Sequence, residues 1–297
     1  MTPRPLTILV LGRSGQVAQA LKAQLGDLGN LHVLGRDQLD LAHPERISEQ
    51  VRALAPHVII NAAAYTAVDQ AEKEEELAQT INGVAPGILA EEAARSGALL
   101  IHYSSDYVFD GRKPSPYTED DPACPLSVYG RSKLAGERAI AAVGGSFVVL
   151  RTSWVYSLQG RNFLLTMQRL LQDKPELRIV ADQIGAPTWA GTIAQVTQQL
   201  VERWRDGQAG EWGVYHMTGL GETSWFGFAE KIGEHLREQG HPCAQLTPIP
   251  SSDYPTPATR PLNSRLDCSQ LQAQWGVQLP KWDDALTQCL AAQQVSN

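Results

Sequence analysis

The sequence predicts an α/β fold, a doubly wound parallel sheet with a smaller mixed α/β region attached. Short apolar runs alternate with segments of helical periodicity through the first half of the chain, the pattern of strands buried on both faces between helices. Two glycines stand where the first run meets the first helix. Beyond about residue 157 the alternation weakens, and residues 240–263 carry six prolines, which predicts irregular, loop-built structure there.

Residues 6–11 (LTILVL) end at Gly12 as a buried strand would, and 15–26 follow with Val17, Leu21 and Leu25 at helical spacing. Residues 31–34 read as a second strand, 45–55 as a helix, 57–61 as a third strand and 77–96 as one helix. Then come 98–103 as a strand, 127–143 as a helix and 146–151 as a strand. The acidic run Glu72 to Glu76 reads as a solvated helix end, and 111–126 as an ordered loop over the sheet. Residues 1–156 are therefore expected to form a dinucleotide-binding domain, completed by about 187–216. Residues 157–186 and 217–297 are expected to shape a substrate-binding region.

The loop "GRSGQVA" supplies Gly12, Gly15 and the small Ala18 between a strand and a helix. A pyrophosphate needs that tight turn, that close backbone approach and that helix N-terminus, so the sheet is Rossmann-type. After the second strand, Gly35 and Arg36 stand where an acid would meet a ribose 2′-hydroxyl. An arginine there favours a 2′-phosphate and tilts the cofactor to NADPH, with NADH as the other choice. The alternative is a solvated loop arginine. Asp40 and Leu41 are placed to flank the adenine, and Ala62, Ala63 and Ala64 are small enough to let backbone approach a ribose or nicotinamide.

Tyr129 and Lys133 share one face of the 127–143 helix, one turn apart. An ammonium beside a phenol is expected to lower a pKa that is normally about 10, making Tyr129 a proton donor near neutral pH. Ser104, Ser105 and Asp106 close a strand, and strand C-termini line the ligand crevice of such sheets. Ser105 is placed to bond a reacting carbonyl; Ser104 reads as a turn cap. The seven histidines, His57 and His102 among them, read as packing residues.

The order of phosphate loop, strand-end serine and Tyr-x-x-x-Lys resembles the extended short-chain dehydrogenase/reductase family. "NAAAYTAVDQAE", "HYSSDYVFDG", "YGRSKLAGE", "LRTSWVY", "GRNFLLTM", "DQIGAPTWA" and "RPLNSRLD" narrow this to its dTDP-4-dehydrorhamnose reductase branch. The resemblance implies reduction of the C4 keto group of dTDP-4-dehydro-L-rhamnose to dTDP-L-rhamnose, a polysaccharide precursor. It implies Tyr129, Lys133 and Ser105 as the catalytic set. Cofactor contacts would come from Gly12, Gly15, Gln16, Val17, Tyr65, Thr66 and Tyr103 as well as the residues above. Ser105, Asp106, Tyr129, Trp154, Asn162 and Arg260 would meet the sugar nucleotide. Some members dimerise through magnesium held by glutamates; Ala20 and Gly191 occupy the matching positions. Neither can ligate a hard cation through its side chain, so no metal is expected and monomer and homodimer both stay open. Other readings are a reductase of a different dTDP-4-keto-6-deoxysugar, a non-catalytic NADP-binding regulatory subunit, and an epimerase retaining NAD⁺.

The bulk properties agree. A net charge of -7 over 297 residues argues against a nucleic-acid or polybasic membrane surface. Cys124, Cys243, Cys268 and Cys289 form no C-x-x-C pair. The N-terminal apolar run is too short for a signal-peptide core, so the expected compartment is the cytoplasm.

Overall fold

The computed structural model describes residues 5–295. Its centre is a six-stranded sheet in which every pair is parallel. Strand β1 (Leu6–Leu11) leads into helix α1 (Gln16–Gln24) and then β2 (Gly29–Leu34). Helix α2 (Ile47–Leu54), β3 (Val58–Asn61), α3 (Val68–Ala71), α4 (Glu75–Gln79) and α5 (Ala85–Ser96) follow. Next are β4 (Leu99–Ser105), α6 (Val128–Val143) and β5 (Phe147–Thr152).

Beyond β5 lie β6 (Val155–Tyr156), α7 (Phe163–Asp173), β7 (Glu176–Val180), β8 (Ile184–Gly185), β9 (Thr188–Trp189) and α8 (Ala190–Arg205). Strand β10 (Gly213–His216) returns to the large sheet beside β5. The chain ends with β11 (Thr223–Ser224), α9 (Trp225–Glu238), β12 (Gln245–Ile249), α10 (Ser269–Trp275) and α11 (Trp282–Val295).

The strand order is β10-β5-β4-β3-β1-β2. The direction of progression reverses between β1 and β3, and ligands bind outside the strand C-termini at such a switch point. Alternation along the strands builds one core on each face. Ile8, Val10, Val58, Ile60, Ile101 and Leu150 pack with Leu21 of α1 and Ile193 and Leu200 of α8. Leu9, Leu11, Ile59, Leu100 and Val149 pack with Ile47 and Val51 of α2, Leu89 of α5 and Ile140 of α6. Both faces are thus dry, which is why these strands read as continuous apolar runs.

Two segments depart from the sequence reading. The single helix expected over 77–96 is α4 and α5 joined by a π-turn, Thr80–Val84. The wider turn puts Asn82 in the interior, 1 % exposed, facing α6. The 240–263 stretch is not wholly loop: β12 pairs in parallel with β7 despite Pro248. Among the described residues β12 pairs with β7 alone, so its other side is an edge, and an edge tolerates a missing N–H. A third core of Tyr156, Leu164, Met167, Phe228, Ile232 and Leu286 sits under this part of the chain.

Candidate active site

The cleft begins where β1 ends. Gly12 has φ +96°, and a side chain there would bring its Cβ to 2.8 Å from the Ala62 carbonyl oxygen. The loop therefore needs glycine twice over, for its left-handed backbone and for its contact with the end of β3. The Gly12 and Arg13 N–H groups donate to the Leu34 carbonyl at 3.0 and 3.1 Å, and Gly15 N–H donates to Gly12 O at 2.7 Å. Those bonds set the loop beneath the first turn of α1, whose leading N–H groups favour an anion.

A cavity of about 230 Å³ opens there, lined by Gly12, Ser14, Gly15, Ala62 to Ala64 and Thr66 on one side. Gly35, Arg36, Asp40 and Leu41 line the other. Arg13, which the sequence reading passed over, joins them. Its guanidinium donates to Asp37 Oδ1 at 2.8 Å and Gln38 Oε1 at 2.9 Å, and it lines the same cavity as Arg36. A cradle that a Cβ would fill, a helix N-terminus and two arginines fit a phosphorylated dinucleotide.

At the ends of β3 and β4 the polar side chains are buried. Lys133, 2 % exposed, donates from Nζ to the Tyr103 carbonyl at 2.6 Å and lies 3.2 Å from His102 Nε2. Burial depresses its pKa to about 8, with Glu137 opposing. Glu137 is bound by Ser104 Oγ and by Arg151, at 2.7 Å from Nη2. Ser105 Oγ donates to Asp106 Oδ1 at 2.9 Å and accepts the Tyr107 N–H at 3.1 Å. The Ser105 hydroxyl is also close enough to the Tyr129 phenol to oppose the effect of burial on it. Asp106 is 2 % exposed, and burial lifts its carboxyl to about 6, opposed by the nearby Ser264 and Ser105 hydroxyls.

The depressed phenol expected from the Tyr-x-x-x-Lys spacing is not what the structure contains. Tyr129 is pushed up to about 12, chiefly by burial of its hydroxyl and further by Asp106, while Ser105 opposes. The helical spacing does bring the two side chains to one face. The ammonium, however, is turned down to the β4 backbone and His102, and the charge that acts on the phenol is the Asp106 carboxylate.

The far wall is aromatic. Trp154 stacks on Trp225 with ring centroids 3.7 Å apart and planes at 13°. Its φ of +48° is a left-handed conformation that a bulky side chain rarely adopts, and Gly185 packs against the indole where a Cβ would collide. Strain of this kind concentrates at functional sites.

A protein-family model described as RmlD substrate binding domain matches residues 6–295. A dTDP-4-dehydrorhamnose reductase of Burkholderia thailandensis is 48% identical over 292 residues, covering 96% of this chain and 98% of that protein. The Escherichia coli K12 protein of the same name is 42% identical over 283 residues, covering 93% and 94%. A dTDP-4-dehydrorhamnose reductase from Bacillus anthracis, solved with NADP, superposes with a TM-score of 0.89 at 31% identity, covering 97% of this chain and all of that one. The chain belongs to the dTDP-4-dehydrorhamnose reductase family. It is an NAD(P)-dependent oxidoreductase, and dTDP-rhamnose biosynthesis is its setting.

Of the reductase residues expected from sequence, Gly12, Gly15, Arg36, Asp40, Leu41, Ala62 to Ala64 and Thr66 line one cavity. Tyr129, Ser105 and Asp106 meet at the end of β4. Four others are held by the protein itself. Tyr103 offers only its carbonyl to this side; its hydroxyl lies 2.7 Å from Thr197 Oγ1 on the opposite face. Tyr65 donates to Glu74 at 2.6 Å. Asn162 caps α7, accepting the Leu165 N–H at 3.0 Å, and its amide donates to Gln16 Oε1 at 2.8 Å. Arg260 is paired with Asp69 of α3 through two bonds, at 2.9 and 3.1 Å. Val17 packs on the core beneath α1.

Sequence reasoning missed the residues that fix α6. Asn82 accepts the Tyr65 N–H at 2.8 Å and donates to Tyr65 O and to Ser132 Oγ, both at 3.0 Å. It ties the segment after β3 to α6. Ser127 caps α6, accepting the Gly130 N–H at 3.1 Å, and Glu72 accepts the Val128 N–H at 2.8 Å. The capping serine was readable one residue ahead of the helix; Asn82 carried no local signal.

Proposed function

We propose that the chain reduces the C4 keto group of dTDP-4-dehydro-L-rhamnose to dTDP-L-rhamnose with NADPH, with Tyr129 as the proton donor. The convergence of Tyr129, Ser105 and Asp106 at the strand end next to the dinucleotide cavity carries this reading. The bound nicotinamide supplies the hydride. Tyr129 passes its hydroxyl proton to the oxygen of the reduced carbonyl, and the Ser105 hydroxyl, rotating its one proton away from Asp106, donates to that oxygen as negative charge develops. A phenol held high stays protonated through the neutral range, which suits an acid. Lys133 is the proton reservoir one helical turn away. Asp106 accepts from sugar hydroxyls. A second cavity, of about 440 Å³ and lined by Phe163, Met167, Leu177, Trp225 and Arg260, supports seating of the nucleotide against an apolar floor with a guanidinium for the diphosphate.

The division of the chain follows: 1–156 with about 187–216 bind the dinucleotide, and 157–186 with 217–297 shape the substrate site. Turnover is tested by following NADPH absorbance with enzymatically generated dTDP-4-dehydro-L-rhamnose. Steady consumption with dTDP-L-rhamnose as product is expected. Absence of turnover beside an active control reductase refutes the reading, and turnover only with a different dTDP-4-keto-6-deoxysugar moves it to a sibling reductase. Arg36→Asp is expected to shift preference toward NADH, read as the ratio of kcat/KM values; an unchanged ratio makes Arg36 a solvated loop arginine with no part in cofactor choice.

A further inference from the structure

His102 lies directly opposite Asn61 in the β3–β4 register, is 1 % exposed, and has no part in the steps above. Its Nδ1 is 3.1 Å from Asn61 Nδ2 and its Nε2 is 3.2 Å from Lys133 Nζ. The Asn61 amide is oriented independently, because its Oδ1 accepts the Ala63 N–H at 3.2 Å. Its NH₂ group therefore points at the imidazole, and an NH₂ group only donates. Nδ1 must accept. A neutral imidazole with an accepting Nδ1 carries its proton on Nε2, and that proton faces Lys133.

An ammonium has no lone pair, so N–H would face N–H. A second proton on the ring removes nothing, and burial holds His102 well below its ordinary pKa. A neutral amine satisfies every partner: it donates to the Tyr103 carbonyl at 2.6 Å and accepts from Nε2–H. We propose that the Asn61–His102 pair favours the neutral amine of Lys133 and so makes its ammonium a readily surrendered proton source for Tyr129. His102 is thus a positioning residue. The inference rests on Lys133 serving the reductase reaction.

The neighbouring charges are accounted for. Glu137, one turn further along α6, favours the ammonium but is shared by Arg151 of β5 and Ser104 of β4. Tyr129 lies one turn earlier on α6, and Asn61 is the contributor from β3. Protons balance as one from Tyr129 to the alkoxide oxygen, one from Lys133 to the phenolate, and one from solvent to Nζ.

The test uses the full chain with NADPH, labelled with ¹⁵N in histidine or lysine. The wild-type histidine spectrum is expected to show His102 protonated on Nε2; protonation on Nδ1 overturns the inference without any variant. In His102→Gln the amide can turn its oxygen to the ammonium. The Lys133 Nζ titration midpoint is expected to rise by about one pH unit or more, and the alkaline limb of kcat with it. An unchanged midpoint in a variant that still binds NADPH overturns the pair. A raised midpoint with an unmoved alkaline limb upholds the pair and removes Lys133 from the reaction, which separates failure of this inference from failure of the functional reading.

Discussion

At the ends of β3, β4 and β5 the functional groups are held by other buried groups: Lys133 by Tyr103 O and His102, Ser105 by Asp106, Glu137 by Arg151 and Ser104. Across the cleft, beyond Thr152, the lining is stacked indoles and a half-exposed ion pair, Trp154 on Trp225 and Arg260 on Asp69. Rearranging such a buried network is costly, since each group that loses its partner costs about 1–3 kcal/mol. Stacked rings and rim ion pairs hold their partners through area and weak charge, and they tolerate displacement. The contrast teaches where each job can be put. On the function proposed above, proton transfer, which needs fixed geometry, falls to α6 and the strand ends beneath it, and discrimination between sugars, which needs a reshapeable wall, falls to the irregular part of the chain.

The sharpest way to break this contrast is at the floor. Tyr129→Phe removes one oxygen from the candidate active site and leaves the dinucleotide cavity intact. A loss of roughly 10²–10⁴ in kcat is expected, with NADPH affinity preserved in a fluorescence titration. A variant retaining full turnover would return Tyr129 to a packing role and leave the floor without its acid.

Scaffold stability forms the next test, because a buried charge can hold the fold without touching chemistry. Glu92 of α5 is 3 % exposed and takes Arg52 of α2 at 2.6 Å and Arg95 at 2.7 Å. The Arg52 hydrogen bond is the largest cause holding its carboxyl at about 2, against burial. The folded pKa is depressed below the unfolded value of about 4.3. Its contribution is therefore full above that pH and is lost as pH falls toward 2. Glu92→Gln is expected to cost about 1–3 kcal/mol at pH 7 in urea denaturation and to flatten the acid limb of stability, with kcat and KM unchanged. Equal stability of both proteins at pH 7 would show that the exposed arginines contribute nothing net.

These residues also mark how far the sequence could be read. Strands β1, β3, β4 and β5 were legible because burial on both faces leaves a continuous apolar run, and the Gly12–Gly15 loop because a turn, a contact and a helix start all demand small residues. The chemistry of α6 was legible as a spacing, but the spacing could not tell which way the Lys133 ammonium turns. That depends on a histidine 31 residues earlier and on an asparagine on the adjacent strand. The π-turn was hidden because 77–96 keeps helical periodicity through it. Asn82 acts on Tyr65, 17 residues away, and on Ser132, 50 away; neither partner leaves a local trace. Arg260 was legible as a phosphate-type cation from its residue type, but Asp69, which orients it, lies 191 residues distant and leaves no local trace.

The aromatic wall supplies the smallest expected effect and the finest test. Trp225 stacks on Trp154, contacts Phe163 with centroids 4.7 Å apart, and donates from Nε1 to Gln183 at 3.2 Å. Trp225→Ala keeps α9 helical but removes the ring that backs Trp154. An aromatic pair contributes about 0.5–1.5 kcal/mol beyond its buried area, so KM for the sugar nucleotide is expected to rise roughly 2- to 12-fold, while kcat changes little. The strained φ of Trp154 gives this variant a second readout. Without its stacking partner the indole is released from one face, and its fluorescence should become more accessible to a neutral quencher. A fall in kcat as large as the rise in KM would mean that the wall also sets the geometry of proton transfer, and the separation between floor and wall would fail.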